Sequence, residues 1–251
     1  MKPWHTALLL LLLPALGTFG ENVPPVATYS IVAHNPKTGE VGVAVQSKFF
    51  GVGSVVPWVD SSAGAVATQS YANTTLGPDG LQLMKEGRSA EEALGELLKK
   101  DTNREQRQVA FIDLKGGMAV FTGSKCHDWA GHLKGTNFTV QGNILAGKEV
   151  VEGMKKAFET RFNSGEHELS ACLLAALEAA EAAGGDRRGR QSAAMVVCRA
   201  GSGYAGLNDR FIDLRVEDHP DPVTELGRLL KLHGQFYRRA HQAIHRSLEG
   251  Q

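Results

Sequence analysis

The chain has 251 residues, 27 Lys and Arg against 27 Asp and Glu, a formal net charge of zero and 42% hydrophobic residues. That composition is ordinary for a globular protein, and a neutral chain sets up no whole-molecule field that would gather nucleic acid or an anionic membrane. The 29 glycines, many between apolar runs, point to tight turns and close backbone approaches in a strand-rich body.

Residues 1–20 have the form of an export signal: Lys2 and His5, an apolar run over 7–13, then Pro14 and small residues. The apolar run is too short to span a bilayer as a mature helix. Cleavage after Gly17 or Gly20 satisfies the small-residue rule, whereas cleavage after Ala27 puts Pro25 at the third position upstream. The expected organisation is a signal peptide at 1–20, a short removable leader at 21–27 and one domain over 28–251. The protein is then secreted or extracytoplasmic, with no membrane contact once the signal is gone. Asn73-Thr74-Thr75 and Asn137-Phe138-Thr139 are N-glycosylation sequons.

Residues 28–33 read as a strand, Asn35-Pro36-Lys37-Thr38-Gly39 as a turn and 41–45 as the returning strand, so the first element is a hairpin. Further strands are expected over 52–59 and 64–68, the latter small and apolar enough to be central. Then the period changes. Gly77-Pro78-Asp79-Gly80 opens a helix carrying Leu81, Leu83 and Met84. Ser89 caps a second helix with Ala93, Leu94, Leu97 and Leu98 on one face, and Glu92 completes a capping box. A hairpin over 108–114 and 118–122 turns at Lys115-Gly116-Gly117. Helices over 148–162 and 166–183 follow, the second rich in alanine, then strands over 193–199 and 211–216 and a terminal helix over 222–248. Strands and helices come in blocks, which argues against a doubly wound parallel sheet and for two antiparallel sheets between helix layers.

Nucleophile-elbow, P-loop and HExxH motifs are absent. His241 and His245 are the one histidine pair at i, i+4, on a charged terminal helix where a solvated face is the simpler reading. Cys126, Cys172 and Cys198 are far apart without metal-ligand spacing, which leaves one disulfide or three buried small side chains open. Neither a cofactor nor a metal is indicated.

Period-two alternation puts Gln46 and Lys48 on one face and Ser47 on the other; Gln46 and Lys48 are expected to face inward, with the Lys48 cation holding a carboxylate. Gln69, Asn73 and Asn143 are amides flanked by small residues, suited to donating to an oxyanion, although Asn73 also fits a helix cap or a glycan acceptor. Asp186-Arg187-Arg188-Gly189-Arg190-Gln191 offers arginines for a bidentate grip on a carboxylate or phosphate, through Arg187 or Arg190, or else forms a solvated loop with an internal Asp–Arg pair.

The opening hairpin, from Thr28-Tyr-Ser-Ile-Val-Ala33 to Val41-Gly-Val-Ala-Val-Gln46-Ser47-Lys48, resembles the start of N-terminal-nucleophile (Ntn) hydrolases. Further segments are similar to one family, DUF1028, a family of unknown function grouped with Ntn hydrolases by fold. They are Val43-Ala-Val-Gln-Ser-Lys-Phe-Phe50, Val55-Val-Pro-Trp58, Gly64-Ala-Val-Ala-Thr-Gln-Ser-Tyr-Ala-Asn73, Gly142-Asn-Ile-Leu-Ala-Gly147, Gly184-Gly-Asp-Arg-Arg-Gly-Arg-Gln-Ser192 and Asp218-His-Pro-Asp-Pro222.

The resemblance implies an α+β fold, a four-layer αββα sandwich of antiparallel sheets. It also implies a hydrolase of amide or isopeptide bonds in a small-molecule or peptide-like substrate. In such an enzyme Thr28 is the nucleophile, its own α-amine the base, Lys48 tunes that amine and Asn143 holds the oxyanion. Gln46, Gln69, Asn73, Asp186, Arg187 and Arg190 are then the substrate-binding candidates. Bacterial relatives begin Met-Thr, so that loss of Met frees the threonine; here Glu21 to Ala27 intervene, and the Ala27–Thr28 bond must be cut. Some relatives carry peptidoglycan-binding modules, which makes cell-wall peptide fragments a candidate substrate. Two rival readings use the same fold: a ligand-binding module with a blocked terminus, and a structural homo-oligomer.

Overall fold

The computed structural model describes residues 25, 26, 28–165 and 168–249, with side chains up to Tyr237. The expected signal peptide, most of the expected leader, and the His241 and His245 side chains lie outside what is described.

Strands β1 (Thr28–Asn35) and β2 (Glu40–Ser47) form the expected hairpin. Its turn closes with Gly39, at φ 72°, donating to the Asn35 carbonyl at 2.8 Å. The register runs from Thr28 opposite Ser47 to Asn35 opposite Glu40. Next come β3 (Pro57–Asp60), β4 (Gly64–Ser70), α1 (Leu76–Lys85) and α2 (Ala90–Lys100). They are followed by β5 (Arg107–Asp113), β6 (Met118–Thr122), β7 (Gly131–Gly135) and β8 (Phe138–Gly142). The chain continues through α3 (Glu149–Asn163), α4 (Leu169–Ala182), β9 (Ser192–Cys198), β10 (Arg210–Val216) and α5 (Pro222–Glu249). The result is a mixed α+β protein with two antiparallel sheets, in the orders β10-β9-β2-β1-β8-β7 and β3-β4-β5-β6.

Every residue of β1 and β2 is buried, because both faces of the hairpin are covered. Tyr29, Ile31, Ala33 and Ala44 face an apolar cluster with Met154 and Phe158 of α3 and Leu173 and Leu177 of α4. Val32, Val43 and Val45 face the other sheet and meet Ala65, Ala67, Ala110 and Ile112. On the far side of that second sheet, Val66 and Phe111 pack with Leu76, Met84, Ala93 and Leu94 of α1 and α2. The α1 backbone lies directly on this layer: a Cβ at Gly80 would come within 2.3 Å of the Phe111 ring. The Ser89–Glu92 capping box is present in full.

Two expectations over the middle of the chain need correction. The apolar run 52–59 is not one strand. Gly51, at φ 64°, starts a single 3-10 turn over Val52–Ser54, and only Pro57–Asp60 pairs with β4. Val52 and Val56 are nevertheless fully buried between the sheets, so the run is apolar because it fills core. The β7–β8 hairpin was not anticipated. It turns at Asn137, at φ 61°, and β8 pairs with β1. Cys126, Cys172 and Cys198 are each buried, and none forms a disulfide among the described residues. Among the described residues no helix is long and apolar enough to cross a membrane.

Candidate functional site

Thr28 is the first residue of β1 and is fully buried. Cross-strand partners share a face of the sheet, so Thr28 and Ser47 point together toward the other sheet, their hydroxyl oxygens 3.4 Å apart. The Thr28 hydroxyl donates to the Val26 carbonyl at 2.5 Å. The Thr28 carbonyl accepts the backbone N–H of Asn143 at 3.0 Å and the Gln69 amide at 3.4 Å. The last residue of β2, the penultimate residue of β4 and the residue just after β8 thus converge on one threonine.

Behind it lies a buried amide network that ties the two sheets together. Gln69 and Asn143 both donate to the Gln108 side-chain oxygen, at 2.8 and 3.0 Å. The Gln108 amide nitrogen in turn donates to the carbonyls of Gly142 and Gly131 and to the Thr122 hydroxyl. Gln141 donates to Ser30, and Ser30 to the Gln69 side-chain oxygen. In this low-dielectric layer the paired amides are held rigidly, while the Asn143 side-chain oxygen is buried without a partner.

The other face of the hairpin carries a second polar group. Gln46 lies opposite Tyr29, and Tyr29 faces α3 and α4. The Tyr29 hydroxyl donates to the Glu181 carboxylate, which also pairs with Arg190. Burial first, and the Glu181 charge second, push the Tyr29 phenol well above its ordinary value. Burial likewise raises Glu181, against the Tyr29 hydrogen bond and the Arg190 charge. Both polar atoms of the buried Gln46 side chain lack partners.

Of the expected inward pair, Gln46 is fully buried, on the face turned to the helices, while Lys48 does not face inward. Alternation does put Gln46 and Ser47 on opposite faces, but Ser47 is the one beside Thr28. Lys48 lies past the end of β2, is exposed, and donates to the Arg190 carbonyl at 3.2 Å. Asp186 organises the loop: its buried carboxylate accepts the Lys48 backbone N–H and the Arg188 backbone and guanidinium. A bridge between Leu145 and Asp186, and a hydrogen bond from Arg187 N–H to the Ile144 carbonyl, dock this loop onto the segment after Asn143. Arg190 is committed to Glu181 and Asp221. Arg187 is exposed and has no carboxylate partner among the described residues. Asn73 stands apart from Thr28: its oxygen accepts from Thr75 and its nitrogen donates to Asp101.

Of the expected residues, Thr28, Gln69 and Asn143 come together directly, and Asp186, Arg187, Arg190 and Lys48 share the adjoining loop. Sequence reasoning missed Ser47, Gln108, Gln141 and Ser30. Their available signal was polarity at buried strand positions, since an amide or hydroxyl in a core-facing position must find partners.

Residues 28–226 match a family model described as a family of unknown function, DUF1028. The chain is similar to protein SPO2555 from Silicibacter pomeroyi, whose crystal structure carries the same family model. The two are 34% identical, with a TM-score of 0.72 over 82% of this chain and 88% of that one. No curated protein matches the chain.

Proposed function

The chain belongs to the DUF1028 family, a family of unknown function, and from that premise we propose that it is an exported amidohydrolase of the Ntn type. Its two antiparallel sheets are then the inner layers of a four-layer αββα sandwich. Cleavage of the Ala27–Thr28 bond makes Thr28 the N-terminal residue and its hydroxyl the nucleophile. One observation carries this reading: a threonine opens β1, fully buried between the sheets, held by Asn143 and Gln69 and beside the Ser47 hydroxyl. The family match itself begins at this residue.

The chemistry follows from one residue holding both groups. A threonine hydroxyl is a weak nucleophile without an adjacent base. A free α-amine, with a pKa of about 7.7–8.0 in model peptides, accepts its proton near neutrality. The Thr28 oxygen then bonds to the substrate carbonyl carbon, and the second N–H of the Asn143 side-chain amide, whose first is given to Gln108, stabilises the oxyanion. As the C–N bond breaks, the α-amine returns the proton to the leaving amine. Water, deprotonated by the same amine, cleaves the ester and frees the acid. Arg187, exposed and without a carboxylate partner among the described residues, suits a substrate carboxylate. Lys48, Asp186 and Arg190 act by fixing the loop that presents it.

A chain that keeps its leader has an acylated Thr28 nitrogen and no base. It then serves as a binding module, a second reading favoured by the seating of Val26 against Ser70. Thr28→Ala in a chain beginning at residue 28 separates the two: turnover of an amide substrate is lost and folding kept. Unchanged turnover removes Thr28 from the mechanism.

A further inference from the structure

Val26, two residues ahead of Thr28, is bound as a ligand is bound. Its backbone N–H donates to the Ser70 carbonyl at 2.7 Å, and its carbonyl accepts the Ser70 N–H at 3.0 Å. The same carbonyl takes the Thr28 hydroxyl at 2.5 Å. The residue is 3% exposed and sits in the apolar cluster between the sheets. Ser70 ends β4 in the left-handed region, at φ 69°, a conformation a serine keeps only where its surroundings hold it. Val26 answers both polar groups of its backbone in this bridge.

Cutting the Ala27–Thr28 bond releases that partner. What remains beside the nucleophile is a buried backbone N–H and C=O at a strand end, together with an apolar recess of valine size. Unpaired buried backbone groups are costly, and a vacated pair of this kind selects an extended chain, with the main chain giving affinity and the recess giving specificity. The register also fixes which residue of such a chain fills the recess. The leader's acyl carbonyl, the one joined to the Thr28 nitrogen, belongs to residue 27, so Val26 precedes the residue that carries it.

We propose that this recess is the substrate's acyl-side subsite. The substrate is an extended peptide-like amide with a small branched apolar residue one position before the residue whose carbonyl is attacked. Val26 is the recess's built-in occupant until the Ala27–Thr28 bond is cut. The turnover part of this statement rests on Thr28 being the nucleophile; the binding part does not.

Binding of a fluorescently labelled Glu-Asn-Val-Pro-Pro-Val-Ala peptide, read by anisotropy, tests the subsite without any turnover. The peptide is expected to bind chains beginning at residue 28, both wild type and Thr28→Ala. An aspartate in place of its last valine should weaken binding by about tenfold or more, since a charge enters an apolar recess. The full chain that keeps its leader should bind the peptide about tenfold more weakly or not at all, and Val26→Asp in that full chain should restore binding by displacing the occupant. Equal binding of the valine and aspartate peptides, or equal binding by the full chain with and without Val26→Asp, overturns the subsite.

Acetyl-Pro-Val-Ala and acetyl-Pro-Asp-Ala aminocoumarin amides separate this result from the catalytic reading. Cleavage of both at the same rate overturns the subsite and leaves the nucleophile standing. Selective peptide binding without cleavage of either supports the subsite and removes the hydrolase.

Discussion

In the proposed mechanism one residue, Thr28, holds the attacking oxygen and, once exposed, its base. Thr28→Ser keeps both and should retain measurable turnover in the chain beginning at residue 28, whereas Thr28→Ala should show none, with melting temperatures close to wild type. The residue that supports this geometry is Gln108. Gln108→Leu strips partners from Gln69, Asn143 and two strand carbonyls at once. Each buried group left unpaired costs about 1–3 kcal/mol. Urea unfolding should therefore show a loss of roughly 3 kcal/mol or more, beyond what an exposed Gln→Leu change produces. Glu181 gives a pH signature. Its folded pKa is raised, so the native state binds the proton more tightly than the unfolded chain. Its contribution is then fully present below the ordinary carboxylate range and is lost as pH rises through the folded value. Compared with wild type, Glu181→Gln should gain relative stability between acidic and neutral pH in denaturation midpoints. A constant difference across that range rules the linkage out.

At the scale of elements, two helical glycines make opposite predictions. Gly95 in α2 has open space where a Cβ would stand, so Gly95→Ala should stabilise by about 0.5–1 kcal/mol through helix propensity. Gly80 in α1 sits on the Phe111 ring, so Gly80→Ala should destabilise by about 1–3 kcal/mol despite the same propensity gain. Thermal melts of the two variants decide whether packing or propensity governs each site. The same contrast explains what was legible in the sequence. The first turn and the Ser89–Glu92 box were readable because their chemistry is local: a glycine at positive φ, a hydroxyl answering a nearby N–H. The run 52–59 was misread because a fully apolar segment carries no periodicity to separate a strand from a buried turn. The β7–β8 hairpin was missed because its strands are only five residues long and glycine bounds both ends. The inward side of β2 was unreadable for a related reason. Alternation tells which residues share a face, but with both faces buried it cannot tell which one looks at Thr28.

For the whole molecule, the fold brings sequence-distant segments to one end of the hairpin: the ends of β2, β4 and β8 and the loop 186–191. Thr28 was identifiable through family resemblance, and Gln69 and Asn143 as amides flanked by small residues. Ser47 and Gln108 were not, because their part depends on how the two sheets face each other. In the proposed mechanism the state of a single peptide bond governs the molecule, with the bridge of Val26 with Ser70 on one side of the bond and the hydroxyl of Thr28 on the other. N-terminal sequencing and intact mass of the protein recovered from an exporting host, paired with an amide-hydrolysis assay on the same sample, read that state directly. The expected result is a chain beginning at Thr28 that hydrolyses an amide substrate. An active chain that still carries Val26 and Ala27 contradicts it.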